Sequence, residues 1–310
     1  MVEFRDLRPG EESELIKTMY DVFKDDPAIV KQDYFRRHVA NEHTYHPSNV
    51  KVAVDGEMIL SHVVIQEREM YVPDGTIKVG GIALVGTLEA QRGKGYATRL
   101  LDLAIADMRS RDYDASMLFT TNPYFEDKTW KPLKREYVVC ALKTDTELKS
   151  SAVNFRDMPP DESLRVLQAH YSSFSEGRRF LLKRTKSYWE NRLSSDLIFP
   201  KENFWFFFDG GKFVGYAVLD KKEQVVDVKE AVWADDATLD DIVLKASEVA
   251  GKAGLNEIGM FGPWLKRYNV IKVVDGRDGD LHQEDLCMLP LKACVEVPKD
   301  PVLFWPTDHF

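Results

Sequence analysis

The sequence predicts an α/β protein with mixed sheets (α+β in character), arranged as two tandem units of which the second is a diverged copy of the first. Three observations carry that expectation. Residues 77–121 pass from an unbroken apolar run through a glycine-bearing turn into a helical pattern, and then into a second short apolar run. Asp55-Gly56 and Asp209-Gly210-Gly211 each join two strand-like runs, the mark of a hairpin. After a polar stretch at residues 144–151 the order of elements begins again, as an internal repeat does.

Taken in order, residues 2–9 predict a first strand, and residues 11–23 a helix with Leu15, Ile16, Met19 and Phe23 on one face. A second helical segment is expected over residues 31–40, followed by the loop-like NEHTYHPSN. KVAV and MILSHVVIQEREMYV form the hairpin at Asp55-Gly56, and Pro73-Asp74-Gly75 turns the chain into the central strand. That strand, IALVGTL, is apolar on both faces, as a buried strand should be. In the helix that follows, Ala97, Leu100, Leu101, Ala104, Ile105 and Met108 recur at helical spacing. Residues 135–143, REYVVCALK, are expected to close the first domain as a strand.

The copy starts near residue 152. Helices are expected near residues 161–175 and 184–194, NFWFFF and KFVGYAVL as a hairpin, and QVVDVKEAVW as a strand. A helix near residues 237–254 and the strand NEIGMF complete the pattern. The expected division is 1–145, 150–293 and a tail, 294–310, rich in proline and aromatics. Phe304, Trp305 and Phe310 are poor neighbours for water, so the tail is expected to dock near the groove between the domains.

Composition bounds the function. Over 310 residues, 44% are hydrophobic and 30% charged, which suits a folded soluble chain rather than a disordered one. A net charge of −9 argues against a duplex nucleic-acid partner and is compatible with a cationic acceptor such as an amine. No apolar run approaches the ~20 residues of a membrane helix, and MVEFRDLRPGEE has no signal core, so a cytoplasmic location without membrane contact is expected. The oligomeric state is not legible. Cys140, Cys287 and Cys294 form no CxxC pair and read as core thiols. His38, His43 and His46 have spacing that a metal could use, but no cysteine or paired carboxylate completes the set, so no metal is expected.

The chemistry concentrates between the central strand and its helix, at Arg92-Gly93-Lys94-Gly95-Tyr96-Ala97. Glycine lets the backbone bend sharply and approach a ligand, and the first helical amides lack intrahelical partners. A phosphate or pyrophosphate suits that turn, with Arg92 and Lys94 adding charge. Read on the turn alone, a plain surface loop fits equally well. It is not a Walker loop, and Thr98 stands where a dinucleotide fingerprint has its third glycine. In the copy the corresponding turn carries Asp235 and Asp236, which would repel a pyrophosphate. Glu67 and Glu69 share a face of the middle strand, where they either line an amine pocket or face solvent. Arg178 and Arg179 either bind an anion or lie in a solvated loop.

The turn resembles the Arg/Gln-x-x-Gly-x-Gly/Ala signature of the GCN5-related N-acetyltransferases (GNAT), and the flanking strands and helix match in order and length. The resemblance is close over residues 50–143 and looser over 1–143. It implies that Arg92, Gly93, Lys94, Gly95, Tyr96 and Ala97 bind the pyrophosphate of acetyl-CoA. It also implies that Leu84, Val85 and Gly86 offer backbone groups to the pantetheine arm and thioester, and that the early helical pair borders the acceptor pocket. Many of these enzymes carry Phe-Tyr after the next strand, the tyrosine acting as general acid. Here the order is Tyr124-Phe125, so the direct register puts Phe125 there and a one-residue shift puts Tyr124 there; alternatively Tyr124, Phe125 and Trp130 only pack the helix down.

The tandem arrangement resembles the enhanced-intracellular-survival (Eis) type, without its third, sterol-carrier-like domain. Those proteins use the C-terminal carboxylate as general base, a role that would fall to Phe310. The implied activity is direct transfer of acetyl from acetyl-CoA to a primary amine of a small molecule or peptide. Two alternatives stand. One is an acetyltransferase similar to mycothiol synthase, which keeps its loop in the second copy; the other is a non-catalytic acyl-CoA-binding module.

Overall fold

Two seven-stranded sheets organise the computed structural model, which describes residues 1–25, 35, 44–120, 125, 130–141, 150–157, 160–178, 180–193, 201–268, 270–275, 285–305 and 308. The first sheet begins with β1 (Glu3–Asp6), β2 (Val50–Asp55), β3 (Met58–Val72), β4 (Gly75–Thr87), β5 (Ala115–Thr120) and β6 (Lys131–Pro132). The second contains β7 (Glu136–Ala141), β8 (Val153–Asn154), β9 (Phe204–Asp209), β10 (Lys212–Lys221), β11 (Val226–Trp233), β12 (Glu257–Phe261) and β13 (Val270–Asp275). The last strand, β14 (Asp285–Pro290), returns to the first sheet.

The strand orders are β1-β2-β3-β4-β5-β14-β6 and β13-β7-β12-β11-β10-β9-β8. Read from β1 and from β8, the two are the same arrangement with one strand exchanged. β4–β5 and β11–β12 are the parallel pairs; the others are antiparallel. The exchange corrects one expectation. The strand at residues 135–143 exists but does not close the first sheet: β7 pairs with β12 and β13 of the second, while β14 pairs with β5 and β6. An apolar strand looks the same from its sequence whichever edge it joins, and pairing across such distances leaves no local signal. The sequence pattern also did not reach β13 and β14.

Helices cover both faces of the first sheet. α1 (Glu12–Phe23) buries Leu15, Ile16, Thr18 and Met19, and α2 (Tyr96–Ser110) buries Leu100, Leu101, Ala104 and Met108. The α1 face also receives Leu182 and Tyr188 from the second unit and Val302 and Phe304 from the tail, so the units share one core. In the second unit α3 (Pro160–Ser175), α4 (Lys186–Leu193) and α5 (Asp236–Lys252) surround the second sheet. Trp305, next to Phe304, is buried in that unit's core. Among the described residues no helix is long and apolar enough to cross a membrane.

Candidate active site

The central strands part. β4 and β5 pair only from Val79↔Ala115 to Gly81↔Met117. Beyond that point β4 stays with β3 as far as Thr87↔Ser61, and β5 stays with β14 as far as Thr120↔Asp285. Each strand keeps its outer neighbour, so an opening lined by β4 backbone is left between them.

A bulge sets which groups line that opening. The register runs from His62↔Gly86 to Val64↔Ala83, so one extra residue is inserted in β4. Leu84 marks it, with φ +47°, a region that side-chain-bearing residues rarely adopt. On the near side of the bulge, Lys78 O accepts from Asp114 N toward β5; on the far side, Leu88 N donates to Leu60 O toward β3. The insertion therefore reverses the alternation, and Val85 and Thr87 turn their backbone toward the opening. Leu84 and Val85 are half-buried and Gly86 is buried.

The predicted turn follows directly. Gly93 and Gly95 both have φ +77°, and Gly95 precedes α2 as its N-cap with no side-chain cap. Arg99 N to Gly95 O, at 3.1 Å, opens the helical ladder, so the amides of Tyr96 and Ala97 lie ahead of it. Arg92, Gly93, Lys94 and Gly95 are exposed, and a Cβ at either glycine would meet nothing within 4 Å. That cradle of open space, amides and two cations fits a pyrophosphate. Lys94 Nζ donates to Gln91 Oε1 at 2.6 Å, and Arg92 Nε lies 3.4 Å from Thr87 O.

The other candidates fall elsewhere. Tyr124 and Phe310, with His38, His43, Arg179 and the helix expected at residues 31–40, lie outside the described residues apart from Phe35. Phe125 packs edge-on against Trp130 in the core on the α2 side. Glu67 is engaged by Tyr113 Oη at 2.6 Å and by Arg111 and Lys78 at 3.3 Å each, and Glu69 by Lys183 at 2.9 Å. Burial raises the Glu67 carboxyl, but hydrogen bonds from Tyr113 and Lys78 outweigh it and hold the group below the usual range. Arg178 lies over the Phe174 ring at 4.0 Å. His46 accepts from Ser48 N, and among the described residues no cluster of His, Cys, Asp or Glu could hold a metal. Cys140 and Cys287 are buried, as expected; Cys294 is exposed.

In the copy, Asp235 caps its own helix, its carboxylate accepting from Thr238 N and Oγ1 at 2.8 Å each. Two groups escaped the sequence pattern. His62 sits fully buried behind the bulge of β4. Arg184, also buried, grips Glu230 through two hydrogen bonds of 2.6 and 2.8 Å and reaches Asp308 of the tail at 2.9 Å. A histidine inside the apolar run of β3 was the one local sign of the first; Arg184 gave none.

Residues 3–131 match the family of the acetyltransferase (GNAT) domain. No curated protein matches the chain by sequence. Among solved structures, a protein from Enterococcus faecalis described as a probable N-acyltransferase superposes with a TM-score of 0.68 at 13% identity, covering 94% of this chain and 71% of its own. A GCN5-related N-acetyltransferase from Anabaena variabilis gives 0.68 at 11% identity, covering 95% and 74%. Eis1 from Mycobacterium abscessus gives 0.62 at 12%, covering 93% and 74%. At such identities the superpositions speak for the fold over most of the chain, and the family match speaks for its first unit. Residues 3–131 therefore match the model of a GNAT acetyltransferase domain, and the chain as a whole shares the fold of structures such as Eis1.

Proposed function

We propose that this protein transfers an acetyl group from acetyl-CoA to a primary amine of a small molecule or peptide, at one site in the first unit. One observation carries this reading: the opening between β4 and β5 leads, along backbone freed by the bulge, straight into the open Gly93–Gly95 cradle. Bound acetyl-CoA would supply the activated acetyl thioester. Arg92, Lys94 and the amides around Gly93 to Ala97 would hold its pyrophosphate, while Leu84, Val85 and Gly86 would line its pantetheine arm. Backbone N–H groups of β4 would polarise the thioester carbonyl. Only a neutral amine attacks, so a base must take its proton; the carboxylate of Phe310 is assigned that task, and Tyr124 that of returning a proton to the thiolate. The proposed units span 1–145 and 150–293, followed by the tail 294–310, with one strand of each unit exchanged into the other's sheet.

Calorimetric titration with CoA and turnover of acetyl-CoA over a broad amine panel test this reading. One site per chain with amine-dependent release of CoA is expected. Binding without turnover would leave an acyl-CoA-binding module, and two sites per chain would sink the assignment to the first unit. Appending one glycine after Phe310 moves the terminal carboxylate without deleting a side chain; full activity in that protein would remove Phe310 as the base.

A further inference from the structure

His62 is a buried imidazole with a defined task in the fold. Its Nδ1 lies 2.6 Å from the carbonyl oxygen of Leu84. A carbonyl only accepts, so Nδ1 carries the proton and donates it. Space has been kept for the ring: a Cβ on Gly86, its register partner, would sit 2.7 Å from both Cε1 and Nε2 of His62 and 2.9 Å from Val22 Cγ1. Leu84, the residue it grips, is the one that adopts φ +47°.

The second unit supplies an internal comparison. Its register steps from Val218↔Glu230 to Leu219↔Val228, so β11 carries the same one-residue insertion at Lys229. Lys229 is not in the positive-φ region, and no histidine stands on β10. A bulge at this place thus needs neither feature; the two occur together only where the opening leads to the cradle.

The peptide plane turns this bond into a consequence for chemistry. In a trans peptide the C=O and the following N–H point in opposite directions. Holding the Leu84 carbonyl toward His62 therefore aims the Val85 N–H away from the His62 ring, and the alternation beyond the bulge puts that N–H on the side of the opening. We propose that His62 is a positioning residue of the acyl-transfer site, locking the Leu84–Val85 peptide so that the Val85 N–H meets the carbonyl oxygen of the bound acetyl thioester. The inference rests on the acetyl-CoA reading given above. Burial lowers the imidazole pKa to about 4, despite the bond to Leu84, so the ring stays neutral over the working range. Nε2 is buried with no hydrogen-bond partner among the described residues, so a proton placed there would have nothing to offset it.

The test pairs His62→Asn, whose amide can donate where Nδ1 does, with His62→Leu, which cannot. The first readout is the carbonyl stretch of carbonyl-labelled acetyl-CoA bound to each protein. A shift to lower wavenumber is expected in the wild type and in His62→Asn, with return toward the free value in His62→Leu. Turnover should fall roughly 10²-fold in His62→Leu, the scale for losing one donor to a developing oxyanion, and recover most of that loss in His62→Asn. CoA affinity should stay within about threefold throughout, because the pyrophosphate cradle is untouched. An unshifted carbonyl in the wild type, or equal shifts and rates in all three proteins, overturns the inference while leaving the acetyl-CoA site standing. Failure of the wild type to bind acetyl-CoA overturns both. Should His62→Leu fail to fold, nitrogen NMR of the wild type still decides: the Nδ1–H tautomer is expected, and the Nε2–H tautomer would remove the bond on which the inference depends.

Discussion

Gly95 is the residue whose conformation the candidate site can least spare. At φ +77° any side chain is strained, and a β-branched one most, while the space beyond its Cβ is open to a ligand. Gly95→Val should remove CoA binding from calorimetric detection, and melting should fall by no more than about 5 °C, the equivalent of ~1–2 kcal/mol in a protein of this size. Unchanged affinity would mean that the phosphates lie elsewhere. Tyr124 offers a second test at this scale. Tyr124→Phe should lower turnover by roughly 10²-fold, the usual contribution of a general acid; a rate within about threefold of wild type would give the role to water.

At the scale of elements, the exchanged strand β7 is held in its foreign sheet by backbone pairing with β12 and β13 and by Tyr137. Tyr137 reaches across Gly259 of β12, where a Cβ would lie 1.8 Å from the phenol oxygen, and donates to Asp227 of β11 at 2.5 Å. Burial pushes the Asp227 carboxyl up to about 6, against the opposing effect of the Tyr137 bond. In the unfolded chain an aspartate titrates near ~4, so the folded protein holds this proton more tightly. Asp227 therefore opposes folding in full above pH ~6, and that penalty fades as pH falls from 6 toward 4. Two pH units correspond to at most about 3 kcal/mol. Asp227→Asn, which can still accept from Tyr137, should stabilise the protein at pH 7 and do so much less at pH 4.5. Urea unfolding of both proteins at the two pH values checks this; an equal difference at both would show that the carboxyl is not the source.

For the whole molecule, the joint between the second unit and the tail is polar at its centre and aromatic around it. Arg184, Glu230 and Asp308 have almost no exposure, Tyr188 Oη donates to Asp308 at 2.5 Å, and the guanidinium lies 3.9 Å from the Tyr171 ring. Buried ion pairs contribute little net stability, but removing one partner leaves the others uncompensated. Arg184→Met should cost about 3–5 kcal/mol in equilibrium unfolding, and converting Glu230 to Gln and Asp308 to Asn in the same protein should recover much of it. A cost under about 1 kcal/mol for Arg184→Met alone would show that water reaches the site. Asp308 belongs to this lock, so cutting the tail at residue 307 disturbs the joint as well as the terminus; the added glycine is the cleaner probe of Phe310. Trp233 at the end of β11, beyond its pairing with β12, and Trp264 in the turn that follows β12 meet at 4.9 Å, and Trp305 stacks on Trp264 at 6.4 Å. The copy fills with aromatic rings the end where the first unit stays open.

The sequence by itself determined what depends on near neighbours in the chain. Leu15, Ile16 and Met19 at helical spacing specify α1; Asp55-Gly56 and Asp209-Gly210-Gly211 specify their hairpins; Gly93 and Gly95 before an apolar helical stripe specify the cradle. Each of these is a local steric or periodic preference, so a window of about 15 residues contains its cause. Only the tertiary structure decided that β7 and β14 change sheets, that His62 grips Leu84 across 22 residues, and that Arg184 holds Asp308 across 124. No local pattern encodes these choices. An apolar strand can pair at either sheet's edge, and a lone histidine or arginine becomes a buried partner only when the folded backbone brings a carbonyl or carboxylate to it and excludes water from both.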